Sequence, residues 1–130
     1  GVIKGSCLCG SVSYKIIGQI GDIVHCHCET CRKAHGSAFS SVAAVSVSDF
    51  KLNSEERLKS FESSPGKFRY FCSNCGTQIY AKREGTPHII LRLGSLDDDP
   101  QACEKNHIWV SQKAPWYQIR NDLPELQEFE

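Results

Sequence analysis

The chain has 130 residues, a length that fits one ordinary domain and leaves no room for two, so we expect residues 1–130 to form a single domain. Its 15 Lys and Arg residues balance its 15 Asp and Glu residues. No excess of positive charge exists to neutralise a phosphate backbone, and no nucleic-acid partner is expected. No run of about 18 apolar residues occurs, which excludes a transmembrane helix, and residues 1–5 lack the apolar stretch of a secretory signal.

Short β-strands are the main prediction from the alternation of polar and apolar residues. In chain order, such runs cover residues 11–16, part of 40–47, 67–71, 78–81, 88–93 and 107–110. Glycines separate these runs and mark turns or bulges. The pattern predicts a mainly β protein, with either a small twisted sheet or two packed sheets, and it leaves the topology open.

Helix signals are weak. The best candidate covers residues 30–35, with Thr30 as its N-cap and Gly36 as its stop. Residues 48–50 predict a short turn, and residues 54–58 are a second, weaker helix candidate.

The cysteines are grouped in a way that indicates metal binding. Seven of the eight lie in C-x-C or C-x-x-C groups. Two cysteines separated by one residue are poorly placed to bridge each other, and such a group suits a shared ion better. We therefore expect zinc thiolates and a reducing, cytoplasmic compartment. The alternative interpretation is two disulfides or free core thiols.

One closed site is expected from four cysteines. Cys72 and Cys75 form a C-x-x-C turn followed by glycine, which is typical of a zinc knuckle. Two thiolates do not complete a tetrahedral site. Cys7 and Cys9 are the pair without a third member, and residues i and i+2 of an extended chain point to the same side. The four would form a structural zinc site that ties the N-terminal strand to the middle of the chain.

A second group, Cys26, Cys28 and Cys31, offers three ligands by itself. If Cys26 and Cys28 lie on one strand, their side chains point to the same face. The C-x-x-C turn from Cys28 to Cys31 would bring the third sulfur back to the other two. Three protein ligands and one open position are typical of a catalytic zinc site. The alternative is a second structural site with an unidentified fourth ligand.

Other residues near this group are weaker candidates. His25 and His27 alternate with the cysteines and should face away from the metal. His35 lies four residues after Cys31, on the same face of a helix, and is a candidate ligand against a plain packing or surface role. For Cys103, a free thiol is favoured over a fourth ligand.

The donor set favours sulfur chemistry. One zinc ion with three thiolates carries a formal charge of −1, which weakens its Lewis acidity relative to a three-histidine site. A soft ion with an open position suits an incoming thiol, bound as thiolate, better than an activated water.

The cysteine groups and their flanking residues resemble a known family. The motifs, in order, are Gly5-x-Cys7-x-Cys9-Gly10-x-Val12, Cys26-His27-Cys28-x-x-Cys31-Arg32-Lys33 and Phe71-Cys72-x-x-Cys75-Gly76-Thr77. Three more follow: Gly94-Ser95-Leu96-Asp97-Asp98, His107-Ile108-x-Val110-x-x-Lys113-x-x-Trp116 and Asp122-Leu123-Pro124. This pattern resembles the glutathione-dependent formaldehyde-activating enzymes, a family that also contains the domain of centromere protein V.

The resemblance implies a β-tent fold of short antiparallel strands with two zinc ions. It implies that Cys7, Cys9, Cys72 and Cys75 hold the structural ion and that Cys26, Cys28 and Cys31 hold the catalytic one. The family's activity adds glutathione to formaldehyde and gives S-hydroxymethylglutathione.

The leading hypothesis is therefore a zinc-dependent carbon–sulfur lyase acting on a glutathione-like thiol and a small aldehyde. The alternative is a non-catalytic β-tent module for protein interaction. Arg32 and Lys33 would attract glutathione carboxylates or form a solvated basic pair. A strand-start His107 bonded to backbone is expected rather than one that transfers protons. The sequence identifies neither the proton donor nor the oligomeric state.

Overall fold

The computed structural model describes residues 1–129, which form ten strands, one α-helix and three short 3₁₀ helices. The strands are β1 (Val2–Ser6), β2 (Ser13–Ile17), β3 (Ile23–Cys26), β4 (Ser40–Ser46), β5 (Phe50–Ser54), β6 (Leu58–Ser64), β7 (Lys67–Cys72), β8 (Gln78–Arg83), β9 (His88–Arg92) and β10 (Glu104–Ile108). Helix α1 covers Glu29–His35, and the 3₁₀ helices cover Val47–Asp49, Leu93–Ser95 and Val110–Gln112.

The strands form two sheets. A three-stranded sheet has the order β1-β2-β5, and a seven-stranded sheet has the order β10-β3-β4-β9-β8-β7-β6. Neighbouring strands are antiparallel, except that β10 runs parallel to β3. The expected mainly β fold of short antiparallel strands is confirmed.

The main core lies between the two sheets because alternate residues of their strands face each other. Its fully buried members include Tyr14 and Ile16 of β2, Val45 of β4, Ile79 of β8 and Leu91 of β9. This core fixes β1 and β7 relative to each other. The first cysteine group follows β1, and the third begins at the last residue of β7.

The last part of the chain covers the outer edge of β10. The backbone N–H of His107 donates to Pro124 at 2.9 Å, and the N–H of Leu126 donates to His107 at 2.9 Å. Leu126 and Trp109 pack against the small buried cluster of Cys26, Cys31 and Ile108. The C-terminal segment thus closes one side of the second cysteine group. Within the described chain, no helix is long and apolar enough to cross a membrane.

Several local expectations need correction. The N-cap of helix α1 is Cys28, two residues before the expected Thr30, and the helix begins at Glu29. Residues 54–58 are not helical: Ser54 ends β5, Leu58 begins β6, and the Leu58 N–H closes a turn on the Glu55 carbonyl at 3.0 Å. The last predicted strand ends early, since Trp109 has φ 56° and turns the chain. Gly36, at φ 61°, ends α1 as expected.

Candidate metal centres and active site

The first and third cysteine groups meet in one cluster. The Cys7, Cys9, Cys72 and Cys75 sulfurs all lie within 4.8 Å of one another. The Cys9 sulfur is 3.6 Å from that of Cys7 and 3.9 Å from that of Cys72. Tetrahedral zinc with bonds near 2.3 Å needs sulfurs about 3.8 Å apart. The four donors therefore fit one zinc ion and leave no position open.

The geometry that brings Cys7 and Cys9 together differs from the expected one. Strand β1 ends at Ser6, and Cys9 lies in a turn closed by a hydrogen bond from the Gly10 N–H to the Cys7 carbonyl at 3.1 Å. The two sulfurs converge because the chain turns, not because they alternate along an extended strand.

Neutral hydrogen-bond donors surround this four-cysteine cluster. The Asn74 amide donates to the Cys9 sulfur at 3.3 Å, and the Ser11 hydroxyl lies 2.9 Å from it. The Asn74 and Ser11 contacts lower the pKa of Cys9 to about 7, and the Thr77 hydroxyl and N–H lower the pKa of Cys75 to about 5. Both shifts favour the thiolate, which is the form that binds metal.

Cys26, Cys28 and Cys31 form the second cluster, with sulfurs within 4.8 Å of one another. Cys26 ends β3, and Cys31 is the buried residue of α1. Cys28 is not on the strand face with Cys26. As N-cap of α1, it accepts a hydrogen bond from the Cys31 N–H at 3.3 Å. Hydrogen bonds among the thiols lower the pKa of Cys31 and raise that of Cys26. Three sulfur donors at these separations fit one zinc ion and leave a fourth position free.

His35 and Cys103 belong to neither cluster of donor atoms in residues 1–129. Burial lowers the pKa of His35 to about 4, and its Nε2 atom is buried without a hydrogen-bond partner in the described chain. Cys103 is an exposed free thiol.

His25 of β3 and His27, which follows that strand, make contacts of their own. His25 bonds Glu104 at 2.6 Å, and His27 bonds the Nδ1 atom of His107 at 2.8 Å. His107 also bonds the Asn121 amide oxygen at 3.1 Å, so side chains and not backbone satisfy it. These contacts tie β3 to β10 next to the cysteines.

A cavity of about 400 Å³ opens onto the three-cysteine cluster. Its walls combine the three sulfur-bearing residues with apolar side chains such as Ile90 and Trp109 and with the basic residues Lys67 and Arg92. A larger groove of about 720 Å³ runs beside α1 and β7, but no cysteine lines it. Of these two, the smaller cavity is the better candidate active site, because it reaches an incomplete donor set.

Sequence reasoning missed the buried arginines of this region. Arg69 and Arg92 are 5% and 4% exposed. The available signal was a charged residue inside an apolar strand, since Arg92 interrupts the run from Ile89 to Leu93. The basic residues that the sequence did single out face solvent or the surface: Lys33 pairs with Glu29 at 3.5 Å, and Arg32 donates to the Gln112 carbonyl at 3.1 Å.

Comparison with known proteins places this arrangement in a family. Several curated relatives match. One of them, an uncharacterized lyase of Schizosaccharomyces pombe, is 39% identical over 80 residues, which cover 59% of this chain and 55% of that protein. A Colletotrichum graminicola protein named "Putative glutathione-dependent formaldehyde-activating enzyme" is 29% identical over 117 residues, which cover 89% of this chain and 56% of that protein. The chain spans about half the length of these relatives.

A crystal structure of a Rhodobacter sphaeroides protein shares the fold, with a TM-score of 0.61 and 22% identity over 75% of this chain and 91% of that one. The family match covers residues 2–112, which include both cysteine clusters and the cavity wall up to Trp109. This chain therefore belongs to the family of glutathione-dependent formaldehyde-activating enzymes.

Proposed function

We propose that this protein is a carbon–sulfur lyase that joins a thiol to a small aldehyde, or releases them, with glutathione and formaldehyde as the leading pair. Residues 1–130 would act as one zinc-binding domain. The observation that carries the proposal is the difference between the two clusters: four sulfurs complete one donor set, whereas three sulfurs beside a cavity leave the other incomplete.

The proposed roles of the cysteines follow from this difference. Cys7, Cys9, Cys72 and Cys75 would hold a structural zinc ion, and Cys26, Cys28 and Cys31 a catalytic one. When bound, a zinc ion with three thiolate ligands supplies a soft Lewis acid that favours a thiol in its thiolate form. The apolar wall at Ile90 and Trp109 would exclude water around the reacting carbonyl.

The reaction needs no oxidant. The thiol gives up its proton, and its sulfur attacks the aldehyde carbon. A carbon–sulfur bond forms while the carbonyl π bond breaks, and that electron pair moves to oxygen, which takes up a proton. The product is the hemithioacetal, and the reverse sequence releases thiol and aldehyde.

Metal analysis separates this proposal from a non-catalytic interaction module. We expect two zinc ions per chain in protein purified under reducing conditions. One ion per chain would remove the catalytic site and favour the module. Because zinc thiolates require reduced cysteines, the proposal also places the protein in a reducing compartment.

Two matched cysteine substitutions test the division of roles. Cys28→Ser should abolish thiol–aldehyde turnover while leaving the fold intact, because Cys28 is half-buried at the start of α1. Cys75→Ser should unfold the domain, because it opens the completed four-sulfur set. Circular dichroism and zinc content report folding, and formaldehyde consumption reports turnover. If both variants unfold, the division is wrong.

A titration with reduced glutathione tests the thiol itself. In cobalt-substituted protein, binding at the three-cysteine site should change the visible absorbance at millimolar thiol. An unchanged spectrum would count against glutathione as the substrate.

A further inference from the structure

Two buried arginines lie against the three-cysteine cluster. The Arg69 guanidinium donates from Nη1 to the Cys31 sulfur at 3.7 Å and from Nε to the Ser63 hydroxyl at 3.0 Å. Arg92 lines the cavity together with Cys26, Cys28 and Cys31. With 5% and 4% of their surface exposed, both guanidiniums are shielded from bulk water.

Arg92 has unused hydrogen-bonding capacity. Its Nε and Nη2 atoms are buried and have no partner within residues 1–129. A guanidinium does not lose its proton in proteins, so this side chain keeps a buried positive charge. Burying such a charge is costly unless an opposite charge compensates it.

No carboxylate of the described chain provides that compensation. Lys33 pairs with Glu29 and the His25 ring bonds Glu104, whereas neither arginine lies within ion-pair distance of a carboxylate in the described residues. Burial lowers the pKa of Arg92, and the negative charge of the Cys31, Cys26 and Cys28 thiolates, which line the same cavity, opposes that shift. The positive charge of the arginines is therefore compensated by the cysteine thiolates and by the ligand that occupies the open position of the cluster.

Formal charges show what should complete it. Zinc with three thiolates carries −1, and two guanidiniums carry +2, so these groups sum to +1 if the fourth ligand is water or another neutral molecule. Lys67, Lys105 and Asp22 also line the cavity and add a further formal charge of +1. An anionic fourth ligand reduces this excess of positive charge, which is favoured in a buried site because uncompensated charge is poorly solvated there.

The four-cysteine cluster provides an internal contrast. The side chains that bond its sulfurs are the neutral Ser11, Asn74 and Thr77, and Cys9 is exposed. Buried arginines are thus a property of the incomplete centre and not of zinc–thiolate clusters in this chain generally.

We propose that Arg69 and Arg92 restrict the open position of the three-cysteine centre to anionic ligands, and that the free donors of Arg92 bond the incoming anion. Arg69, already bonded to Cys31 and Ser63, balances the protein thiolates. The two arginines would select a thiolate over water and over neutral donors. This inference rests on the proposed function, because it assigns the ligand class of the same site.

The first test uses the wild-type protein with cobalt at both sites. Thiocyanate, a small anion, and imidazole, a neutral donor, are titrated separately while visible absorbance is recorded, and 2-mercaptoethanol serves as the simple thiol. We expect thiocyanate to bind at least about tenfold more tightly than imidazole. Tighter binding of imidazole would overturn the inference without reference to any variant.

The second test neutralises the arginines. Arg92→Gln should weaken 2-mercaptoethanol and thiocyanate binding by about tenfold or more and leave imidazole binding unchanged. Arg69→Gln, the second neutral variant, should act in the same direction. Arg92→Lys keeps the charge and should restore most of the thiocyanate affinity. Arg83→Gln, an exposed substitution on the neighbouring strand β8, is the matched control and should change nothing.

The outcomes distinguish failure of the proposed function from failure of the inference about the arginines. If wild-type cobalt protein binds no thiol, the proposed function fails and the inference fails with it. If wild-type protein binds thiol and both glutamine variants bind it equally well, only the inference fails. Equal weakening of thiol and imidazole would identify a merely structural role for the arginines. Cobalt content of each variant, expected at two ions per chain, reports whether both centres remain formed.

Discussion

At the scale of single residues, the donors around each sulfur decide how well it serves as a ligand. Cys9 is exposed and accepts hydrogen bonds from Asn74 and Ser11, which stabilise its thiolate. Groups that bond a ligand atom from outside the coordination sphere typically change metal affinity by about 10–100-fold. Asn74 is the clearest case here because its amide makes the leading contribution at Cys9.

We expect Asn74→Ala to weaken zinc at the four-cysteine centre by about tenfold, because Cys9 loses a donor that holds its thiolate. Competition with a chromophoric chelator measures the zinc affinity of each variant. Asn53→Ala is the control, an exposed asparagine on β5 that bonds no sulfur. Equal affinities of the two variants would show that Asn74 does not support the centre.

The buried hydroxyl of Tyr14 should make the free energy of unfolding depend on pH in the alkaline range. Burial raises its pKa to about 12, and its hydroxyl bonds that of Ser95 at 2.7 Å. A tyrosine whose folded pKa exceeds its unfolded value of about 10 stabilises the fold below pH 10 and loses that contribution as the pH rises towards 12. Unfolding by urea should therefore show a steeper loss of stability between pH 10 and 12 in wild type than in Tyr14→Phe. Parallel pH profiles would contradict this.

At the scale of elements, β1 positions Cys7 and Cys9 by packing against β2 and the loop after β9. Asp97 accepts a hydrogen bond from the Ser6 hydroxyl at 2.8 Å, and Asp98 accepts one from the Lys4 N–H at 2.8 Å. Asp97 and Asp98, which follow β9, thus hold β1 in place by hydrogen bonds, and β1 leads into the first cysteine group. These carboxylates are exposed as well as hydrogen-bonded.

Gly5 allows β1 to lie directly on Tyr14. A Cβ atom at this position would come within 2.1 Å of the tyrosine ring. We expect Gly5→Ala to destabilise the fold by about 1–3 kcal/mol, because the buried ring cannot move without losing its core contacts. Gly94→Ala is the matched control, since its Cβ would meet no atom within 4 Å. Urea midpoints of the two variants measure the difference, and equal midpoints would show that the ring adapts.

Elements also explain how far the sequence could predict the structure. Strands β8 and β9 follow the alternating pattern closely, because one face of each meets the core. Strand β6 could not be found in this way: it lies at the sheet edge with its residues mostly exposed, so no apolar face marks it. Strand β3 is short, and its one histidine, His25, bonds neighbours across the sheet, so polarity there does not report exposure.

The sequence predicts the cysteine ligands of the candidate site but not the other side chains that surround them. Cysteine spacing predicts which sulfurs could share an ion, because spacing limits which ligands one ion can reach. It does not predict that Cys28 caps a helix or that Arg69 and Arg92 lie beneath the cluster, since both depend on distant strands packing together.

At the scale of the whole molecule, the two centres differ in which elements of the fold they connect. The four-cysteine cluster connects β1, in the small sheet, with β7 and β8 in the large one. The three cysteines lie within a short segment from the end of β3 to the first turn of α1, beside an open cavity. Loss of metal should therefore have different consequences at the two places.

We expect a chelator to remove zinc in two steps. The three-cysteine centre should empty first, because it has one ligand fewer and opens onto solvent through the cavity, and the fold should persist. The four-cysteine centre should empty more slowly and together with unfolding, because its loss uncouples the two sheets. Zinc release followed with a chromophoric chelator, in parallel with circular dichroism, measures both steps. Cys28→Ser should remove the first step and leave the second. Release of both ions together with unfolding would show that the two centres form one cooperative unit, and the separation of structural from catalytic roles would then lose its physical basis.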